Sequence, residues 1–431
     1  FFAFCTLLLA AMVAATAGIL WVVHSEQGLR FTVAQAQDWV NANTDQQLEF
    51  GRIQGTLWQG FDLEFIRWQQ ENTKVEAEQI QLVIDWSGAL NRLIRITNLS
   101  AQVVRVDSPP SEDDTPLVLP EKISLPVDLD LQNFSMRQLL VNGEELKQVY
   151  VKASVQSEQL SVHNFSLSVR DTQVDSTLEM TLAKPYQITG SMNAQRNLED
   201  VLLNATLAAT GSLERLELAL DAKGENPERA DQTQGVQANA VLTLWGSTPF
   251  ETVRINAENF DPSNWLDGAP RASLAIVATV EPNEDFSESI GNFSVRNAQP
   301  STVQSGGLPL AFMQTRFRLI LQNQLPGQLD LWVDKLQFAD GKRQAGNASA
   351  VMQWRAPKQP VDQAPTLDVL AGDFNFDVKT SNVDASVFAS LPQRLALTSS
   401  IQGTKNGTQL RVDRLLVRDR QAELRGKLHV D

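Results

Sequence analysis

The hydrophobic pattern of this chain has three regimes in succession. From Phe1 to Val23 there is no charged residue, and the first acid is Glu26. A helix of about 20 apolar residues, rising 1.5 Å per residue, spans a bilayer core of roughly 30 Å. Residues 1–24 therefore read as a membrane anchor, with Phe1, Leu8, Met12 and Ile19 along the span and Trp21 and Val23 at its trailing end. An indole favours the headgroup boundary, which suits Trp21. A cleaved leader would end its apolar region after about 7–15 residues. Ala14-Ala15-Thr16-Ala17 mimics a cleavage site, yet the apolar run continues past it.

The second regime, residues 25–45, has period 3.6. Leu29, Val33, Ala36 and Val40 fall on one face of an amphipathic helix, and Ser25 is a suitable N-cap. From residue 46 onward the period is 2. Leu125, Val127, Leu129 and Leu131 alternate with polar residues, as do Ser176, Leu178, Met180 and Leu182. The same holds for Leu216, Leu218 and Leu220, for Val236, Ala238, Ala240, Leu242 and Leu244, and for Val253, Ile255 and Ala257. Leu329, Leu331 and Val333 follow, then Phe374, Phe376 and Val378, then Ala422, Leu424, Leu428 and Val430. Alternation of this kind means strands with one apolar and one wet face, so the fold class is all-β. Asn142-Gly143, Asp340-Gly341 and Asn406-Gly407 lie between such runs as type I′ hairpin turns. Arg196–Leu203 is the one later stretch with short-helix character.

Weak self-similarity points to a decayed array. Ala238–Trp245 resembles Asn347–Trp354, and Asn259-Phe260-Asp261-Pro262-Ser263 echoes Asn382-Val383-Asp384-Ala385-Ser386. Loops are expected at Asp107–Pro116, Ala222–Gly235, Glu281–Glu288 and Pro357–Pro365, where proline, acid and polar residues concentrate.

Composition then narrows the function. The chain has 431 residues and a net charge of -15, which opposes binding to nucleic acid. Its single cysteine, Cys5, lies within the anchor, so the body has neither disulfides nor thiolate metal sites. His24, His163 and His429 are far apart and form no ligand spacing. Asp113-Asp114 sits in a proline-rich linker, and the arginines Arg411, Arg414, Arg418, Arg420 and Arg425 alternate with acids as on a solvated strand. Nucleotide-binding loops and hydrolase motifs are absent, so the expectation is a non-enzyme without metal or cofactor.

What remains is a long amphipathic sheet with few helices to cover it. Such a sheet hides its apolar face in a sandwich, a barrel or a groove. An anchor in the membrane favours a groove filled by something apolar in transit, because a bare strip that long invites aggregation. Its expected lining is Leu129, Leu178, Met180, Leu216, Leu218, Leu220, Leu242, Leu244, Val253, Ile255, Leu329, Leu331, Val333, Phe374, Phe376 and Val378, with Glu217 and Thr243 facing water.

Three stretches carry a family resemblance. Val22–Val40 (VVHSEQGLRFTVAQAQDWV) follows the anchor, then comes Phe50–Trp68 with Gly51, Gly55, Gly60, Leu63 and Trp68, then Val75–Val106. In this order they resemble the start of TamB, the inner-membrane subunit of the translocation and assembly module, and its AsmA-like relatives. The resemblance implies a protein anchored in the bacterial inner membrane with its bulk, residues 46–431, in the periplasm. It also implies an elongated, open, U-shaped β-groove with phospholipid as transported ligand, and a role in outer-membrane protein assembly. The outer-membrane barrel TamA is the implied partner, through a C-terminal region beyond this chain. The competing reading is a periplasmic scaffold or chaperone for β-barrel assembly and secretion that binds strands by edge augmentation and conducts no lipid.

Overall fold

The structure is a computed structural model describing residues 21–71, 73–108, 120–198, 201–225, 234–243, 249–265, 268–283, 287–322, 325–357, 372–391, 393–406, 409–419 and 421–430. The chain divides into two compact units, Phe1–Arg196 and Asn197–Asp431, where alternation alone indicated one continuous body. Phe1, Leu8, Met12 and Ile19 lie outside the described residues. Among the described residues no helix is long and apolar enough to cross a membrane.

The first unit opens with helix α1, Glu26–Asn43, capped by Ser25, whose Oγ accepts from the Gly28 N–H at 3.0 Å. Leu29 is buried between Ile53 and Leu63, and Val33, Phe50, Leu57 and Phe61 pack around that cluster. Ala36 is exposed. The neighbouring Gln37 turns inward instead, and its Oε1 accepts from the Phe50 N–H. An amide reaching the sheet edge thus satisfies a strand N–H that an alanine methyl could not.

Ten strands follow: β1 (Gln46–Phe50), β2 (Ile53–Thr56), β3 (Gly60–Gln70), β4 (Thr73–Asp85), β5 (Leu93–Asp107), β6 (Asp128–Val141), β7 (Glu144–Gln156), β8 (Gln159–Val169), β9 (Thr172–Thr181) and β10 (Gln187–Leu198). Antiparallel ladders join β3 to β4 and β4 to β5, then run from β6 through β10. β5 and β6 pair in parallel. A parallel step needs a crossover of a dozen or more residues, and residues 108–127 supply it, including most of the acidic proline-bearing loop, whose residues 109–116 lie outside the described ones.

The second unit carries β11 (Val201–Ser212), β12 (Leu216–Glu225), β13 (Gln234–Leu242), β14 (Phe250–Phe260), β15 (Leu274–Pro282), β16 (Glu288–Asn297), β17 (Leu310–Gln322), β18 (Leu325–Ala339), β19 (Gln344–Arg355), β20 (Asp373–Asp384), β21 (Ala396–Asn406), β22 (Gln409–Arg418) and β23 (Glu423–Val430). Each pairs with the next, antiparallel throughout, as an open meander.

Several local expectations are corrected. The described residues of Arg196–Leu203 are not helical: Arg196–Leu198 end β10 and Val201–Leu203 begin β11, because the ladders on either side outweigh a weak helical pattern. β12 runs through Glu225 and β13 begins at Gln234, so the loop expected over Ala222–Gly235 is shorter, and Ala222 is buried. Likewise β15 reaches Pro282 and β16 starts at Glu288, at both ends of the expected Glu281–Glu288 loop. Of the Pro357–Pro365 loop, only Pro357 is described. Asn142-Gly143 makes a two-residue turn with φ of 48° and 87°, as type I′ requires. Asp340-Gly341 does not: the connection takes residues 340–343, and Asp340 Oδ1 accepts from the Lys342 and Arg343 N–H groups. An aspartate that caps its own turn makes the tighter form unnecessary. Gly407 of the third pair lies outside the described residues.

The packing of α1 gives a direct test. Leu29→Ala removes a side chain only 4% exposed and should cost about 2–4 kcal/mol in urea unfolding of the first unit. Ala36→Ser, on the exposed side, should leave stability within about 0.5 kcal/mol.

Candidate functional site

In an antiparallel ladder, directly opposed residues share a face. The registers of the second unit therefore define a line across thirteen strands. It runs Ala209, Leu218, Ala240, Val253, Val280, Gly291, Phe317, Leu331, Met352, Phe376, Gly403, Val412 and Leu428. One pleat further along the strands lies a second line with Leu207, Leu220, Ala238, Ile255, Ala278, Phe293, Thr315, Val333, Ala350, Val378 and Ile401. Leu216 opposes Leu242, and Leu329 opposes Trp354, which opposes Phe374. Every described lining candidate of this unit is thus on one face. Leu244 lies outside the described residues.

The first unit repeats the arrangement. Ile94, Leu129, Val155, Leu160, Met180 and Ile188 form one apolar line, and Ile96, Leu131, Ala153, Val162, Leu178 and Gly190 the next. Leu129, Leu178 and Met180 therefore share a face as well.

Among the described residues no second layer of elements packs over these lines. Leu218, Val253, Leu331 and Phe376 are half-buried by their neighbours in the sheet, and Ile255 is 36% exposed. Two aromatic rings fill gaps left by cross-strand glycines. A Cβ on Gly291 would lie 2.1 Å from the Phe317 ring, and one on Gly403 would lie 2.8 Å from that of Phe376. Each ring thus reaches over the glycine opposite it, where a side chain would leave no room.

The opposite face is tied by charge and carries most of the polar residues, with exposed Val277, Ile290 and Val351 set among them. In the second unit Glu217, Arg254, Arg316, Arg318 and Gln353 stand there, Glu217 as expected. Arg316 forms a fork with Asp334 at 2.7 and 2.9 Å, Arg318 pairs with Asp330, and Arg254 with Glu281 at 2.8 Å. Arg316 holds the Asp334 carboxyl below the usual range by direct hydrogen bonding. Thr243 lies just past β13. Arg411 pairs with Asp413 at 2.6 Å, in line with a solvated strand face.

One rim of the second unit is built up into a wall. At the end of β14, Asp261 Oδ1 accepts from the Ser263 N–H and Oγ and from the Ala272 N–H. At the end of β20, Asp384 Oδ1 accepts from the Ser386 N–H and Oγ. Both aspartates cap a one-turn 3-10 helix, and the asparagine two residues earlier is left-handed in each, φ 52° at Asn259 and 53° at Asn382. An arginine follows at the same distance along the chain, Arg271 and Arg394, before the next strand. The weak repeat in the sequence is thus one structural device used twice. Asn297 plays a similar part after β16, accepting from the Ser273 and Gln299 N–H groups and donating to the Leu308 carbonyl.

These connections fold onto the apolar side. Trp265 lies 5.7 Å from Phe260 and anchors its indole N–H on Gln234, Leu308 packs on Ala272, Leu274 and Val295, and Phe388 meets Phe338 edge-on at 5.1 Å. Asp384 itself is fully buried, with Arg394 at 2.7 Å and Arg343 at 3.7 Å from Oδ2. Arg394 approaches as an ion pair without hydrogen-bond alignment. Burial opposes ionisation of Asp384, yet the Ser386 hydroxyl and N–H and the two guanidinium groups outweigh it and lower its pKa. The wall residues Trp265, Leu308 and Phe388 were not apparent from period-2 alternation, because such connections have no period. The recurring Asn-x-Asp-x-Ser with its trailing arginine was the available signal.

The arrangement offers an apolar strip, walled along one rim by the connections, and charged groups on the far side of the sheet. Among the described residues no group of three or more His, Cys, Asp or Glu could hold a metal. Trp21 and Val23 sit on the helical turn before α1, where Val23 receives the Trp58 N–H at 3.0 Å.

Comparison with protein families places residues 15–117 and 108–233 in two matches to the model described as TamB, N-terminal domain. The chain belongs to the TamB N-terminal family. Searches of curated proteins and of solved structures give no match. The matched stretch covers the first unit from residue 15 onward and the opening of the second. The apolar face from β13 to β23 extends the same design past it.

Asp384 makes the wall testable. Its folded pKa is depressed below the ordinary 3.8, so its stabilisation is present above that value and disappears as pH falls through the folded value. Asp384→Asn should cost about 1–3 kcal/mol at neutral pH and should flatten the acid limb of the stability curve below about pH 4, read by urea titration across pH.

Proposed function

We propose that the apolar face carries phospholipid acyl chains, making the protein a conduit anchored in the inner membrane and extending through the periplasm. The observation that carries this reading is the uninterrupted apolar line through the second unit, half-buried and, among the described residues, without a covering layer. At roughly 4.8 Å between strands, thirteen strands give a path of about 55–60 Å measured along the sheet. Each methylene withdrawn from water contributes about 0.8 kcal/mol, so an acyl chain gains most from a strip without polar breaks. Headgroups would remain at the wet mouth. Family membership supports a place between the two membranes, a role in outer-membrane biogenesis and an association with TamA.

The same reading expects the strip to curve into an elongated, U-shaped groove. Small-angle scattering on the body should then give a radius of gyration clearly above the roughly 22 Å expected of a compact chain this long. A value at the compact estimate would count against the groove.

Photo-crosslinking tests the conduit directly. A photoreactive residue in place of Leu331 or Val253 should capture phospholipid in cells, whereas one in place of Gln353 or Asn239, on the polar face, should not. Leu331→Arg should reduce capture at Val253 while the folded protein persists, because a guanidinium can snorkel out of an open strip. Equal capture on both faces would defeat the proposal. Loss of folded protein with Leu331→Arg would indicate a closed core, where a buried charge is intolerable.

A further inference from the structure

One end of the first unit is unlike the other. Because β3, β4 and β5 are antiparallel, the turn before β3, the turn after β4 and the start of β5 lie at one end of the strands. At that end Trp58 is 50% exposed and Leu90 99% exposed. Trp21 and Phe31, 44% and 57% exposed, lie beside it with ring centres 6.1 Å apart. The group is held in place rather than loose. Trp58 stacks on His24 at 4.9 Å and donates its N–H to the Val23 carbonyl. Trp86 donates its indole N–H to the Leu57 carbonyl at 3.0 Å, fixing the Leu90 turn against the Trp58 turn. Ile123 and Leu125, also exposed, continue the same end just before β6. Among the described residues of this unit, only Trp39 and Met192 are exposed large hydrophobics elsewhere. The opposite end presents Glu71, Asn142-Gly143 and Arg170-Asp171.

We propose that Trp21, Phe31, Trp58 and Leu90 form a seat that inserts into the headgroup region of the bilayer and holds this end of the sheet against the membrane. The occupant is a lipid surface because the residues are those that favour an interface: two indoles, a phenyl ring and a leucine at full exposure. Continuity argues the same way, since the charge-free sequence of residues 1–23 leads straight into Trp21. Several backbone groups of the seat are already bound, the Trp58 N–H to the Val23 carbonyl, the Trp21 carbonyl to the Ser25 N–H and the Leu57 carbonyl to the Trp86 indole, as membrane contact favours. The apolar line of Ile94, Leu129 and Met180 reaches the strands at this same end. A seated sheet therefore offers its strip to lipid leaving the bilayer, and a flexible tether alone would not orient it.

The inference rests on membrane anchoring through residues 1–23, and the experiment separates the two. The full chain with Cys5→Ser is labelled with an environment-sensitive fluorophore at Gln59→Cys, Leu90→Cys or, as control, Arg170→Cys. It is reconstituted into phosphatidylethanolamine–phosphatidylglycerol vesicles with and without brominated acyl chains, and flotation is scored in parallel. The labels at 59 and 90 should shift to the blue and lose emission to the brominated lipid, while the label at 170 stays water-like. Adding Trp58→Ser and Phe31→Ser to the labelled Gln59→Cys protein should abolish the quenching without changing flotation or circular dichroism. Flotation with all three labels equally unquenched overturns the seat and leaves the anchor standing. Quenching that survives both serines overturns the assignment to these side chains. Failure to float overturns anchoring and seat together.

Discussion

The constraint on which this structure depends is the parity of the antiparallel ladder. Once two strands are in register, each residue is committed to the face of its partner, and a slip of one residue would send the apolar line of Leu218, Leu331 and Phe376 into water and Arg316 and Arg318 onto the apolar side. Bulges absorb local irregularity without breaking the rule: the pairing of β17 with β18 shifts three times, yet Phe317 still opposes Leu331 and Leu319 still opposes Leu329. Cross-strand ion pairs on the polar face enforce the same register from the other side. Arg318 with Asp330 and Arg316 with Asp334 would be lost by any slip.

Parity alone would leave the apolar face as an aggregation hazard. The protein manages it by shaping rather than by covering. Phe317 and Phe376 lie over Gly291 and Gly403, and the connections after β14, β16 and β20 turn Trp265, Leu308 and Phe388 onto the sheet. Each connection is pinned by a side chain that satisfies at least two donors at once, Asp261, Asn297 or Asp384. A buried carboxylate is tolerated there because hydroxyl, N–H and guanidinium groups surround it. The proposed conduit would use this same surface, since the strip that needs shelter from water is the one an acyl chain would fit.

The first unit adds direction to this picture. Its strands end in exposed aromatics on one side and in charged turns on the other, and the apolar line of Leu129 and Met180 begins at the aromatic side. A sheet with one polar and one apolar face has no preferred end by itself. The loops supply one, through Trp58 and Leu90, which belong to neither face.

Much of this was legible in the sequence, for a physical reason. Side-chain direction in a strand has a period of exactly two residues, so the face of Leu218, Ile255, Leu331 or Phe376 follows from counting, and the all-β class and the members of the apolar face with it. The family resemblance was likewise carried by short ordered stretches that the comparison with family models bears out. Counting could not decide the rest. The division near Arg196, the parallel step between β5 and β6, the inward turn of Gln37 in place of Ala36 and the walls at Asp261 and Asp384 all depend on contacts between residues distant in sequence. Local periodicity reports which way a side chain points, whereas its partner is chosen only when the strands come together.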